Sequence, residues 1–140
     1  MTIIESVRRW LATCPEIAGR KISVDFLPAE ECTISIDGTV ITPIIKRYLD
    51  GSTVRQFAFT IATRSYYGDM TSQQIENLEF YEKFSAWLEA QSAADNLPYL
   101  GGDKIADRVE ATSSGYLYDI SSNAASARYQ IQCRMIYDQD

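Results

Sequence analysis

The sequence predicts an α+β fold: a mainly antiparallel twisted sheet with one long and one or two short flanking helices. Three observations predict it. Apolar residues recur at every second position from Ala127 to Tyr137, with polar side chains between them up to Arg134, as in a half-buried strand. Asp50-Gly51-Ser52 separates two extended runs and is typical of a hairpin turn. Residues 71–94 carry apolar side chains at helical spacing. At 140 residues the chain fits one domain, which we expect to span residues 1–140.

The first predicted element is a short helix from about Thr2 to Thr13. Its apolar residues recur every three or four positions while charged residues fall between them, and Pro15 is expected to close it. Two short strands should follow, one around residues 22–26 and one around residues 32–36. Asp37-Gly38 is predicted to turn the chain.

The next prediction is a hairpin. Ile41 to Leu49 forms an extended run, in which Pro43 favours an edge position or the beginning of a strand. Its partner is the strand at residues 56–62, with Phe57, Phe59 and Ile61 on one face. Residues 65–69 are then expected to leave the sheet.

A long helix is predicted from Thr71 to about Ala94. Thr71 and Gln74 form a plausible capping box at its beginning. Glutamates on the opposite side predict one packed face and one acidic, solvated face. The predicted packed stripe consists of Ile75, Leu78, Tyr81, Phe84 and Leu88, widened by Phe80 and Trp87.

The last predicted pair of strands closes the chain. Leu100-Gly101-Gly102-Asp103 opens a flexible connection after the helix. The strand at residues 127–137 should pair with residues 115–119 through a connection at residues 121–126. Cys133 lies on the apolar phase of that strand, where a buried reduced thiol is the default.

The charge balance argues against binding to nucleic acid. Thirteen Lys and Arg face nineteen Asp and Glu, a formal net charge of −6, whereas nucleic-acid binders concentrate positive charge. The sequence shows neither a secretory signal nor an apolar run long enough to cross a membrane, so we expect a protein kept in solution inside a cell.

No catalytic or metal-binding constellation is visible in the sequence. Histidine is absent, which excludes Ser-His and Cys-His nucleophilic designs, and Cys14, Cys32 and Cys133 lack metal-ligand spacing. Gly101-Gly102-Asp103-Lys104 lacks the preceding strand and following helix of a phosphate loop and is interpreted as a turn. The carboxylate pairs Glu30-Glu31 and Glu76 with Glu79 are explained by solvated surface. We therefore expect no enzyme activity, cofactor or metal.

Aromatic and basic residues concentrate around the predicted hairpin and its exit. Tyr and Arg are enriched at protein–protein contacts, but strands also prefer aromatic residues, so an interface and an ordinary strand composition both remain open. The candidate interface residues are Lys46, Arg47, Tyr48, Arg55, Arg64, Tyr66 and Tyr67.

Seven segments in the same order resemble a known family. They are Trp10-Leu11-x-x-Cys14-Pro15, Ile44 to Ser52, Arg55-Gln56-Phe57, Arg64-Ser65-Tyr66-Tyr67-Gly68, Gln74 to Asn77, Phe80-Tyr81-Glu82 and Ala127 to Arg134. Together they are similar to the small tail-terminator, or minor tail, proteins of long-tailed phages and prophages of Gram-positive bacteria. The similarity covers nearly the whole chain.

The resemblance implies a structural role without catalysis. Such proteins assemble as a hexameric ring on the finished tail tube, stop its growth and present a surface to the head–tail connector. Implied partners are therefore further copies of this chain, the tail tube protein and the connector protein, in the virion tail and, during assembly, in the bacterial host cytoplasm. DNA would pass through the ring without specific binding, and no membrane partner is implied.

Other functions compete with this one. The nearest alternative is another head–tail connector or a minor capsid or tail accessory protein. A small cytosolic binding module would bind a peptide or an oligonucleotide, and an enzyme would show turnover or a tight small-molecule pocket.

Overall fold

The computed structural model describes residues 2–17, 21–25, 27, 33–66, 71–120 and 126–140. These residues form two helices and one seven-stranded sheet, mostly strand. In chain order the elements are α1 (Ile3–Leu11), β1 (Ile22–Val24), β2 (Thr33–Gly38), β3 (Ile44–Arg47), β4 (Thr53–Tyr66), α2 (Thr71–Ala93), β5 (Lys104–Ala111), β6 (Tyr116–Ile120) and β7 (Ser126–Gln139). The sheet is open, and the predicted α+β class fits it in outline.

The two longest strands, β4 and β7, form the centre of the sheet. They pair antiparallel over fourteen residues, from Thr53 opposite Gln139 to Tyr66 opposite Ser126. Strands β2 and β3 pair with opposite ends of β4, and β6 and β5 pair with opposite ends of β7. Only β1 departs from the antiparallel pattern, because it runs parallel to β2.

One face of the sheet carries the hydrophobic core. Alternate residues of the central strands, among them Phe59, Ile61, Ile131 and Met135, are fully buried there. The alternation predicted for residues 127–137 is confirmed, since all six of its apolar positions are buried, including the free thiol of Cys133.

Both helices belong to this core cluster. Helix α1 begins at Thr2, whose hydroxyl accepts the backbone N–H of Glu5 at 3.2 Å, and it buries Val7, Trp10 and Leu11. The Trp10 ring meets the Trp87 ring of α2 with centroids 4.7 Å apart, and its indole N–H donates to the Asn96 carbonyl. The two helices therefore contact each other and also share the core cluster with the sheet.

Helix α2 is fastened to the sheet at two points. The buried Tyr81 hydroxyl donates to the Tyr129 carbonyl at 2.8 Å and contacts the Thr63 hydroxyl. Eleven residues further along, the Ser92 hydroxyl donates to the carbonyl of Val109 and accepts its N–H. The helix therefore runs from the end of the sheet where β4 finishes towards the middle of β5.

Several sequence predictions are wrong in detail. Strand β4 begins at Thr53 and still contains Ser65 and Tyr66, and Asp37 and Gly38 belong to β2 instead of a turn. Strand β5 was not predicted: its burial is irregular, and a register shift between Ala106 and Arg108 breaks the period of two.

The predicted packed stripe of α2 is correct only in its C-terminal half. Tyr81, Phe84 and Leu88 are buried, but Ile75 is 59% exposed and Leu78 is 38% exposed. Asn77 takes the buried position in that turn. The side chains of the predicted capping box, together with Phe26, Cys32, Tyr67 and the connection at residues 121–125, lie outside the described part of the chain.

Candidate assembly surface

A hairpin at the edge of the sheet places its turn at one end of the β4–β7 pair. We call residues 40–55 the hairpin arm: it comprises the segment before β3, strand β3, the turn and the beginning of β4. The N–H of Tyr48 donates to the Ser52 carbonyl and the N–H of Gly51 to the Tyr48 carbonyl. Gly51 has φ 93°, the left-handed conformation that closes a three-residue hairpin loop. The predicted turn is confirmed.

The side chain of Asp50 stabilises this turn through two local hydrogen bonds. Its carboxylate accepts the N–H of Ser52 at 2.9 Å and the Ser52 hydroxyl at 2.6 Å. These two hydrogen bonds lower the pKa of Asp50. The arm is thus a formed hairpin whose turn is set by local contacts.

The arm exposes an unusual amount of apolar side chain. Val40 and Leu49 have relative exposures of 102% and 110%, and Ile41, Ile45 and Tyr48 are also exposed. Single exposed apolar residues are ordinary, but five within ten positions of one hairpin are many, and three of them, Ile45, Tyr48 and Leu49, lie within five positions at its turn. Such a concentration is typical of a contact surface.

The arm is also basic. Residues 40–55 contain three cationic side chains, Lys46, Arg47 and Arg55, and one carboxylate, Asp50. The Lys46 ammonium lies 4.9 Å from the centroid of the Tyr48 ring, which is a cation–π contact between two exposed side chains. Arg55 is half-buried and donates to the Thr53 hydroxyl at 3.0 Å.

The structure divides the predicted interface residues between two places. Lys46, Arg47, Tyr48 and Arg55 come together on the arm, whereas Arg64 and Tyr66 lie at the other end of β4. Nine residues separate Arg55 from Arg64, which at 3.3 Å per residue is about 30 Å. The structure therefore does not bring these residues together in one place. The side chain of Tyr66 and the whole of Tyr67 lie outside the described residues.

The uncovered face of the sheet carries a polar network that the sequence did not reveal. Arg128 forms an ion pair with Asp37 at 2.9 Å, and the Tyr116 hydroxyl accepts from the amides of Gln130 and Gln132. Register places this network above the small residues Ser35 and Ala62, and both are fully buried. These polar side chains form hydrogen bonds and an ion pair with one another, and they shield Ser35 and Ala62 from solvent.

The outer strands β5 and β3 differ in whether the edge that faces away from the sheet is covered. On β5, the Ser92 hydroxyl bonds both backbone polar groups of Val109 and so covers that edge. Strand β3 pairs with β4 alone among the described strands, so its second edge remains without a neighbouring strand there. Pro43 and Lys46 at this edge oppose indiscriminate strand pairing.

A second exposed patch lies on α2. Ile75, Leu78, Glu79 and Glu82 occupy positions three, four and seven apart and therefore share one side of the helix, away from the buried side. The only ion pair that the structure shows on this side joins Glu79 to Lys83 at 3.2 Å, between exposed side chains. It raises the pKa of Lys83 through the hydrogen bond and the charge of Glu79.

Two hollows near the arm are lined by apolar, uncharged polar and basic side chains. One hollow of about 460 Å³ follows residues 42–47, and another of about 230 Å³ lies between Thr39, Thr112 and Arg134. Cys133 lines the second, but burial raises the pKa of its thiol and disfavours a reactive thiolate. Among the described residues, no three His, Cys, Asp or Glu side chains form a possible metal site.

Two further findings bear on function. Within the described residues, neither helix is long and apolar enough to cross a membrane. Comparison of the sequence with protein-family models and with curated proteins found no match.

Proposed function

We propose that this protein is a structural phage tail protein of the tail-terminator type. Several copies, a hexamer by the family resemblance, close into a ring on the completed tail tube, end tail growth and form the joint to the head–tail connector. The proposal assigns the protein no catalysis, cofactor or metal. It places the protein in the virion tail and, during assembly, in the bacterial host cytoplasm.

The hairpin arm is the observation that carries the proposal. The arm combines fully exposed apolar side chains with basic residues. An isolated monomer gains nothing from exposing Val40 and Leu49, but an assembly that covers them gains their burial. A ring-forming protein needs surfaces of this kind.

The fold and the charge support the same proposal. The resemblance implies an α+β domain with a mainly antiparallel twisted sheet and flanking helices, and five of the six strand pairings described here are antiparallel. The net charge of −6 suits a ring through which DNA passes without binding.

The test is the tail-length distribution, measured by negative-stain electron microscopy, of particles produced with the gene intact and with it deleted. Terminator function predicts overlong or headless tails after deletion. Tails of normal length on complete particles would overturn it.

A further inference from the structure

We propose that the exposed side of α2 binds the hairpin arm of a second copy of this chain. The α2 patch consists of Ile75, Leu78, Glu79 and Glu82, as defined above. The inference rests on the proposed ring and names the two surfaces that join neighbouring subunits.

Apolar chemistry matches between the two surfaces. Ile75 and Leu78 are one helical turn apart on the exposed side of α2, and their exposure is the largest departure from the expected packing of that helix. At the turn of the arm, Leu49 presents an aliphatic side chain of comparable size to solvent, and Ile45 and Tyr48, close to it in the chain, are also exposed. Contact between the patches would remove both sets from water.

The charges are complementary. Residues 40–55 carry three cations and one carboxylate, whereas residues 71–93 carry four glutamates and one lysine. The ion pair between Glu79 and Lys83 is exposed and therefore weak, so Glu79 can exchange it for a cation of a neighbouring arm. Complementary rim charges of this kind orient a contact and exclude wrong partners.

The two surfaces lie at opposite ends of the molecule. Tyr81 holds α2 at Thr63 and Tyr129, near the end of β4, and Ile75 precedes Tyr81 by six residues, or about 9 Å of helix. The turn of the arm lies at the opposite end of a fourteen-residue strand, about 40 Å away. The arm of one copy therefore cannot reach the α2 patch of the same copy.

A contact between different surfaces at opposite ends is head-to-tail. Repetition of such a contact generates a ring when the rotation between subunits closes, and a filament when it does not. The placement of the arm and the α2 patch therefore provides the kind of contact that a ring requires.

Engineered disulfides test the contact directly. Leu49→Cys and Ile75→Cys are made as separate variants, each with Cys32→Ser, so that the remaining native thiols, Cys14 and Cys133, are buried. The two purified variants are mixed and oxidised. We expect a dimer joined through residues 49 and 75, identified by peptide mass spectrometry, in the mixture and not in either variant alone.

A matched control uses another exposed apolar residue. Val24→Cys, on the edge strand β1, replaces Leu49→Cys in the same mixture and should give no specific dimer with Ile75→Cys. Disulfide formation traps a contact even when it is populated only transiently. Equal yields from Val24→Cys and Leu49→Cys, or no dimer from Leu49→Cys, would overturn the proposed contact.

Charge exchange provides a second test. Lys46→Glu should weaken association of the protein about fivefold, and Glu82→Lys by a similar factor, as expected for rim charges, and the two substitutions together should recover most of the loss. Lys21→Glu, an equal change of charge before β1, should have no effect. Additive losses in the double variant, measured by sedimentation velocity, would contradict the pairing.

The outcomes separate this contact from the proposed function. A protein that terminates tails but gives no 49–75 dimer keeps its function and loses this contact. A protein that forms the dimer, while its deletion leaves tails normal on complete particles, keeps the contact and loses the terminator function.

Discussion

The two ends of the β4–β7 pair differ in what stabilises them. At the end where α2 is fastened, Tyr81, Phe84 and Leu88 are buried against the sheet and polar groups are satisfied within the chain. At the other end the hairpin arm exposes Val40 and Leu49 completely. The difference indicates that side chains buried against the sheet stabilise the folded chain, whereas Val40 and Leu49 contribute little to that stability.

The largest expected effect contrasts Phe84 with Leu49. Phe84→Ala should lower the free energy of unfolding by about 4 kcal/mol, because a fully buried aromatic ring is removed and a cavity remains. Leu49→Ala should change it by less than about 0.5 kcal/mol, because that side chain is fully exposed. Urea denaturation of both variants checks the contrast, and similar losses would refute it.

The next effect concerns Gly115, which lies against the covered end. A Cβ atom there would overlap the Cβ and ring carbons of Tyr81, which is buried and cannot move aside. Gly115→Ala should therefore destabilise the fold by about 3 kcal/mol through overpacking. Gly102→Ala serves as a control for a glycine with open space around it, although its φ of 56° adds some backbone strain. A thermal unfolding scan in which Gly115→Ala matches the wild type would contradict this packing.

Tyr81 makes the covered end sensitive to alkali. Burial raises the pKa of its hydroxyl, so the group contributes stability that is complete below its unfolded pKa of about 10 and declines as pH rises above it. Tyr81→Phe removes two buried hydrogen-bond contacts and should cost about 1.5 kcal/mol at neutral pH. The deficit should shrink as pH rises above 10. A deficit that stays constant with pH would argue against this account.

The smallest effect lies in the turn of the arm. The hydrogen bonds from Ser52 lower the pKa of Asp50, so they hold the turn above the ordinary carboxyl pKa of about 3.9 and are lost as pH falls through the lowered value. Ser52→Ala should raise the pKa of Asp50, measured by NMR titration of its carboxyl group, without shifting thermal unfolding. An unchanged pKa would mean that the hydroxyl does not bond the carboxylate in solution.

Much of the covered end could be predicted from the sequence. Alternation along residues 127–135 is a strong signal because one face of β7 belongs to the core cluster that also contains residues of both helices. The Asp50-Gly51-Ser52 turn was equally predictable, since its contacts are local. In both cases neighbouring residues contain the relevant information.

The sequence predictions fail where residues that are distant in the sequence determine the local structure. Ile75 and Leu78 precede Tyr81 in steps of three residues, which drift around the helix, whereas the side that is buried continues from Tyr81 back to Asn77. Which of the two sides meets the sheet is decided by the contacts of Tyr81 with Thr63 and Tyr129. The separation of Arg64 from the arm follows from the length of β4, which depends on pairing with β7, more than sixty residues away. Nor does local sequence show that Arg128 meets Asp37.

The central claim is that the arm serves assembly and contributes little to folding. The measurement that tests it most directly is the tail-length distribution of particles lacking the wild-type gene and supplied with Leu49→Asp, together with thermal unfolding of that purified variant. We expect unchanged unfolding and overlong or headless tails, as after deletion. Unchanged unfolding with tails of normal length on complete particles would contradict the claim, and so would a variant whose fold is destabilised in proportion to its loss of function.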